Sequence, residues 1–297
     1  MMKSAGLWVR QLRLHQWVKN LLLGVPAFAA FSPLRETQLL SLLLAFITFG
    51  FVASGVYIFN DLSDRASDRL HPSKKDRPIA AGLIGAGAAR FVAVALLGLG
   101  VGLAHLVSVP FALALLIYLA LTFLYSLWLK RIVVIDALTL ASLYTIRVIA
   151  GGVAIGVEVS FWLATFSSFL FFSLAWVKRH AELSMWNEAK LAPVGRGYKV
   201  TDQPLVMTFG ISSALVAVAV FALYLDSKDA AVVYVLPQAG WLAIPLLTYL
   251  VGRIWFKTIR DEMSQDPVLF VLRDVASLIT LILIGLSVAI AHVGLPA

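Results

Sequence analysis

Apolar residues run through this chain in long blocks separated by polar joins, and the blocks are the length that crosses a bilayer, roughly 20 residues. Nine are recognised, near 14–31, 38–60, 86–106, 109–129, 132–154, 160–177, 204–225, 231–254 and 273–293. The pattern predicts nine transmembrane helices in a single membrane-embedded domain over 1–297, with no second domain, low-complexity tract or linker. The first block is the weakest. Leu21 to Phe31 is short and holds Pro26, and its basic start and Ala27-Phe28-Ala29 resemble a cleavable signal peptide. Gln16, Lys19 and Asn20 interrupt it where a targeting sequence would gain nothing, so a retained span is expected. Trp128-Leu129-Lys130 after the fourth block is echoed by Trp255-Phe256-Lys257 after the eighth, which leaves a repeated four-helix unit open.

Composition removes the soluble alternative. Of 297 residues, 61% are hydrophobic and 13% charged, with a mean hydropathy of +0.91, whereas globular domains carry about 25% charged residues. Cysteine is absent, which excludes disulfides, thiolate metal sites, iron–sulfur clusters and a cysteine nucleophile. Any metal must sit on oxygen or imidazole. The formal charge of +8 comes from 24 Lys and Arg against 16 Asp and Glu. Suppose the N-terminus, the join after the fourth helix and the long joins at 61–83, 178–203 and 255–272 share a face. All basic residues then lie at that face except Arg35, Lys228 and Arg147. The positive-inside rule puts that face in the cytoplasm and the C-terminus outside, as in a multi-pass protein of the inner (plasma) membrane. Trp8, Trp17, Trp128, Trp176 and Trp255 would then sit near the cytoplasmic boundary, and Trp162 and Trp241 near the outer one, as an aromatic belt. Basic residues spread over membrane loops do not suit a nucleic-acid partner.

The richest chemistry lies at 60–82, NDLSDRASDRLHPSKKDRPIAAG. Asn60, Asp64 and Asp68 step by four and Asp61 precedes Asp64 by three, so all four oxygen-bearing side chains can share one helical face. Unpaired, such a face repels itself, and hard divalent cations relieve this through oxygen ligands; magnesium completes its shell with water and substrate phosphates. Lys74, Lys75 and Arg77 follow, with His71 before them and Pro72 and Pro78 stiffening the loop. An acidic face beside phosphate-binding cations is a diphosphate site in outline. The plainer alternative is a solvated loop with local pairing of Asp64 to Arg65 or Arg69.

These residues resemble the UbiA superfamily of membrane prenyltransferases, whose first acidic motif is N-D-x-x-D-x-x-x-D. The resemblance implies an all-α integral membrane fold, nine transmembrane helices around a central cavity open to the cytoplasmic face. It also implies Mg2+ held by Asn60, Asp61, Asp64 and Asp68 against a substrate diphosphate. Most of that superfamily carries a second acidic motif after the sixth helix. Here the place reads Lys178-Arg179-His180-Ala181-Glu182, either a positive-inside anchor or a phosphate clamp, with Glu182 also placed to pair with Lys178. Cations in place of metal ligands suit a substrate with a second phosphate, and phosphoribosyl pyrophosphate has that layout. The chain is similar to the branch of the superfamily that transfers phosphoribose to decaprenyl-like polyprenyl phosphates. The matching blocks are Gln16-Trp17-Val18-Lys19-Asn20, H-P-x-K-x-x-R-P-I-A-x-G at 71–82, Tyr125-Ser126 with Leu129-Lys130-Arg131 and Asp136, Arg147 to Gly151, and Lys178-Arg179 with Glu182.

Asp136 and Arg147 are three turns apart and about 20° from alignment on a helix. A charge at this depth is costly, so Arg147 faces a wet cavity, an anionic partner or a packing hydrogen bond. Lys19, Asn20, Lys130 and Arg131 are phosphate candidates or snorkelling interfacial cations, and Tyr125 is a substrate contact or a packing aromatic. His105 and His292 read as interfacial. Glu188, Arg196, Lys199 and Asp202 read as a solvated loop rather than a lid, and 256–270 as an amphipathic surface helix. The reading that follows is displacement at the anomeric carbon of ribose by a polyprenyl phosphate, with pyrophosphate leaving on magnesium. Asp61, Asp64 and Asp68 are the catalytic residues, holding magnesium with Asn60 orienting it; Lys74, Arg77, Lys178 and Arg179 bind phosphates, and Lys19, Lys130 and Arg147 receive the lipid phosphate. The partners are phosphoribosyl pyrophosphate, a polyprenyl phosphate and the membrane, with a homo-oligomer left open. Two alternatives stand beside it, prenyl transfer from a prenyl diphosphate to an aromatic ring, and a lipid-binding or transport protein without chemistry.

Overall fold

The computed structural model describes residues 2–31, 33–70, 74–188, 196–263 and 266–294, all helix and connecting turns with no strand among them. Helix is what lipid demands, because every backbone N–H and C=O must be satisfied within its own segment. The chain divides into two compact units, Met1–Leu127 with Ile146–Glu158, and Trp128–Thr145 with Val159–Ala297.

The first unit holds α1 (Met2–Leu12), a 3-10 helix (Leu14–Gly24), α2 (Val25–Ala29), α3 (Glu36–Ser63), α4 (Arg65–Leu70), α5 (Ala86–Val107), α6 (Val109–Leu127) and the second half of α7 (Ile135–Ile155). The second unit holds the first half of α7, α8 (Phe161–Glu188), α9 (Gln203–Leu225), α10 (Lys228–Val233), α11 (Pro237–Gly240), α12 (Ala243–Ile259), α13 (Pro267–Val271) and α14 (Val275–Val293). Among the described residues, eight helical segments are long and apolar enough to cross a membrane. The expected ninth, 14–31, is not one continuous α-helix. Gly24 and Pro26 divide it, and the part before them winds as a 3-10 helix. At about 2.0 Å per residue the 3-10 stretch reaches about 22 Å. The short α2 brings the pair to about 30 Å, still the thickness of the hydrocarbon core.

Both α3 and α8 have 28 residues, about 42 Å, or about 12 Å more than the hydrocarbon core. The excess carries the polar sequence. The expected boundary of the sixth span at 177 therefore moves to Glu188, and Lys178, Arg179 and Glu182 stand on continuous helix rather than in a loop.

Two further expectations change. Trp176 and Trp255 are not belt residues but core of the second unit, 1% and 4% exposed. Trp176 stacks on Phe209, and the Trp255 Nε1–H donates to Ser173 Oγ at 3.0 Å. A glycine makes the room, since a Cβ on Gly210 would lie 2.0 Å from the Trp255 ring. Trp17 likewise packs edge-on to Phe46 and Phe51 and donates to Ser54 Oγ, whereas Trp128 and Trp241 are exposed as a belt requires. The amphipathic helix at 256–270 is interrupted too. Helix α12 ends at Ile259, Asp261 takes a left-handed φ of 56°, and α13 begins at Pro267 behind an Asp266 cap.

The 3-10 helix is seated against the second half of α7 at Gly151, where a Cβ would meet the Leu23 carbonyl oxygen at 2.0 Å. Backbone cannot yield as a side chain can. Gly151→Ala is therefore expected to destabilise the protein by about 1–3 kcal/mol through overpacking, while Gly252→Ala, with nothing within 4 Å, should be neutral or slightly stabilising; thermal unfolding in detergent compares them.

Candidate functional site

The acidic motif starts on α3 and continues on α4. Asp64 sits between them as the C-cap of α3, and its carbonyl still accepts from Asp68 N–H at 2.8 Å, so the helical phase is kept across the join. Asp61 and Asp68 come together as the spacing predicts, and what joins them is Arg77. Its Nη1 donates to Asp61 Oδ1 at 3.0 Å and to Asp68 Oδ2 at 2.7 Å, and both carboxylates are 3% exposed. Arg77 is set in place by a hydrophobic anchor. Ile79 is fully buried with Ile58, Ile84, Ala89 and Ala93, and Leu7, Trp8 and Leu12 of α1 close over the same cluster.

That packing also delivers two residues the sequence reading missed. Gln11 Nε2 donates to Asp61 Oδ2 at 2.8 Å, and Arg13 Nη2 reaches both oxygens of Asp61 at 2.7 and 2.9 Å. Arg13 takes a left-handed φ of 52° between α1 and the 3-10 helix, a turn that hydropathy does not signal. Asn60 Oδ1 is buried with no hydrogen-bond partner, and Asp64 is half-buried. Lys74 is half-buried in the loop whose carbonyl accepts Arg77 N–H, while His71 and Pro72 lie outside the described residues.

The donors suit a hard divalent cation. They are oxygen only, Asp61 and Asp68 already converge on one positive nitrogen, and an orphaned amide oxygen lies one residue away. Magnesium bonds of about 2.0–2.1 Å need only a modest contraction from the distances to Arg77. Among the described residues no three carboxylate or imidazole groups gather as a ready-made cage, so Arg77 is the cation these oxygens share.

Deeper in the first unit, Arg147 is 5% exposed. Its Nη2 donates to the Tyr118 hydroxyl at 2.7 Å and its Nε to Asn20 Oδ1 at 3.4 Å, and its guanidinium lies 4.7 Å from the Tyr118 ring centre and 5.9 Å from that of Phe49. Lys19, next to Asn20, is also buried. Arg147 thus sits with neutral oxygens and aromatic faces. Asp136, expected to face the same way, belongs to the other unit with partners of its own.

In the second unit Asp136 is completely buried at the start of α7 and is bound by Arg179 Nε at 2.9 Å and Arg196 Nη1 at 2.8 Å. Both arginines also hold Glu182, where the expected charge of Lys178 acts as well. Arg196 is therefore a member of the charge cluster, not part of a solvated loop. Two anions and two cations balance here, yet Arg179 Nη2 remains buried with no hydrogen-bond partner. Lys178 and Lys130 are half-buried in this unit, as Tyr125 is in the first. Tyr198 closes the cluster from the side. Its hydroxyl accepts the N–H of Val134 at 3.1 Å, where the backbone takes a left-handed φ of 68°, a costly conformation for a β-branched residue. Burial, aided by Asp136, pushes the Tyr198 phenol up to about 12.

Long apolar helices carrying two buried charge clusters at their polar ends define a polytopic membrane protein. The chain belongs to the UbiA prenyltransferase family, whose model matches residues 21–281. It is 37% identical over 273 residues to the protein y4nM of Sinorhizobium fredii, covering 91% of this chain and 53% of that one, so it spans about half the length of that relative. It is 35% identical over 252 residues to a decaprenyl-phosphate phosphoribosyltransferase of Corynebacterium glutamicum, covering 82% and 76% of the two chains. A solved UbiA homolog from Archaeoglobus fulgidus, bound to GPP and Mg2+, superposes with a TM-score of 0.68 over 95% of this chain and 97% of that one. At 18% identity, that likeness is one of fold.

Removing one partner of a buried pair strands the other. Asp136→Asn is expected to lower stability by about 3–5 kcal/mol, and Asp136→Leu combined with Arg179→Met to recover part of the loss, read from unfolding of the purified protein. The raised Tyr198 pKa has a sign as well. Its contribution is complete below the unfolded value of about 10 and is lost as pH climbs through about 12. The stability of Tyr198→Phe should thus fall less steeply than that of the parent between these pH values, as followed by circular dichroism.

Proposed function

We propose that this chain transfers 5-phosphoribose from phosphoribosyl pyrophosphate to a polyprenyl phosphate and releases pyrophosphate. The observation that carries the reading is the convergence of Asp61 and Asp68 on one cation, with Asn60 Oδ1 unsatisfied beside them. The oxygens of Asn60, Asp61, Asp64 and Asp68 hold magnesium in this reading, and the metal, when bound, supplies charge that stabilises the departing pyrophosphate. Lys74 and Arg77 orient the diphosphate. The lipid phosphate already carries negative charge, so no side chain need act as its base. Its oxygen bonds to the anomeric carbon as the bond to pyrophosphate oxygen breaks. The protein contributes alignment and fixed charge.

Three features favour phosphoribose over a prenyl group. Where most of the superfamily has a second acidic motif, this chain places Lys178 and Arg179, and Arg179 Nη2 is a buried donor awaiting an acceptor. Lys19 and Arg147 are two buried cations in the first unit, a position suited to a lipid-borne phosphate. A relative of similar length bears the matching activity in its name. The basic face of the chain is cytoplasmic by the positive-inside rule, where phosphoribosyl pyrophosphate would meet the inner leaflet of the plasma membrane. The fold neighbour bound to GPP and Mg2+ keeps prenyl transfer to an aromatic acceptor as the competing reading.

Membranes containing the protein, given labelled phosphoribosyl pyrophosphate with polyprenyl phosphate, or labelled prenyl diphosphate with hydroxybenzoate, distinguish the two. Label should enter lipid only from the sugar donor; entry only from prenyl diphosphate overturns the reading. Chelation, or Asp64→Asn, should reduce transfer by about 100-fold or more, the scale of one lost electrostatic group, with membrane insertion intact by protease protection.

A further inference from the structure

Arg77 holds Asp61 and Asp68 through a single nitrogen, and the two carboxylates are not equally dependent on it. Asp61 keeps Arg13 Nη2, which reaches both of its oxygens, and the amide of Gln11 if Arg77 leaves. Asp68 has Arg77 as its ion-pair partner and is 3% exposed. Arg77 is the most accessible member of the trio, with a side chain 28% exposed on a bend rather than a helix. It leaves the adjoining Asn60 Oδ1, a buried acceptor, without a hydrogen bond. A guanidinium and a divalent ion cannot both sit between the same two oxygens. Their mutual repulsion at such range, a double charge against a single one in a site withdrawn from water, forces one of them to leave.

We propose that Arg77 is the counter-ion shared by Asp61 and Asp68 and that it changes places with an incoming divalent cation. On metal binding, Arg77 moves off Asp61 and Asp68, and its freed fork is then presented to the diphosphate that the metal also binds. The exchange keeps Asp68 from standing buried and unpaired at any stage. It also ties the two ligands together, because a diphosphate that takes up Arg77 removes the metal's competitor, and by linkage the metal strengthens diphosphate binding equally. This rests on the magnesium reading above, and the test separates the two.

Mn2+ binding to the full-length protein in detergent, followed by electron paramagnetic resonance with and without pyrophosphate, reads the exchange without turnover. Arg77→Gln should bind Mn2+ alone at least about 5-fold tighter than the parent, the lower end of ordinary site coupling. Pyrophosphate should then improve Mn2+ binding by a smaller factor in that variant than in the parent. Arg77→Lys, which keeps a cation without the fork, guards against loss of folding and should fall between. Arg69→Gln removes a nearby charge that donates to the Ala80 carbonyl rather than to either carboxylate, and should shift Mn2+ affinity less. Equal affinity in parent and Arg77→Gln, or an equal gain in Arg69→Gln, overturns the exchange and leaves the metal reading standing. An absence of Mn2+ binding in every form overturns both.

Discussion

A carboxylate withdrawn from water at the end of a membrane helix must meet a positive charge, and this requirement organises both units. Asp61, Asp68 and Asp136 are buried to within a few per cent. Each is met by arginine, Arg13 and Arg77 in the first unit and Arg179 and Arg196 in the second. Burying such pairs is costly unless hydrogen bonds saturate them, so the surrounding packing exists to hold the guanidinium groups at bonding distance. In the first unit the hydrophobic plug around Ile79 fixes the loop that bears Arg77 and, through Leu7, Trp8 and Leu12, the helix that leads to Arg13. Apolar burial thus sets the position of the charges.

Much of this was legible in the amino acids. Six of the spans fall within about three or four residues of their expected limits, because membrane helices are dictated by length and hydropathy, whereas α8 runs on to Glu188 and the span expected at 231–254 lies at Pro237–Ile259, behind the short α10. The acidic motif was legible for a similar reason, since a spacing of seven places Asp61 and Asp68 on one face whatever surrounds them. What could not be read was pairing across distance in sequence. Arg13 is 48 residues from Asp61, and Arg196 is 60 from Asp136. Nothing in local periodicity selects them from 24 basic residues. The tryptophans failed in the opposite direction. Trp176 and Trp255 occupy positions that suit an interfacial belt, but Gly210 opens a notch that burial of an indole fills more favourably than exposure.

The two clusters also differ in how their charges are held. The second is closed, with both acids doubly bridged and Tyr198 clamping a strained Val134 beside them. The first contains a half-buried guanidinium on a loop and an amide oxygen with nothing to bond. The acids of the second cluster are thus the more fully bridged, while the first keeps the more accessible guanidinium.

The overlong α3 and α8 have a consequence for the surrounding lipid. Because the rods that cross the bilayer are the same rods that bear Asp61 and Arg179, the height of these groups above the acyl chains is set by hydrophobic matching. A thicker membrane would draw the charged tips toward the glycerol layer, and a thinner one would lift them into the aqueous phase. The acyl composition of the host membrane thereby becomes a dial on how far each of these charged groups is withdrawn from water.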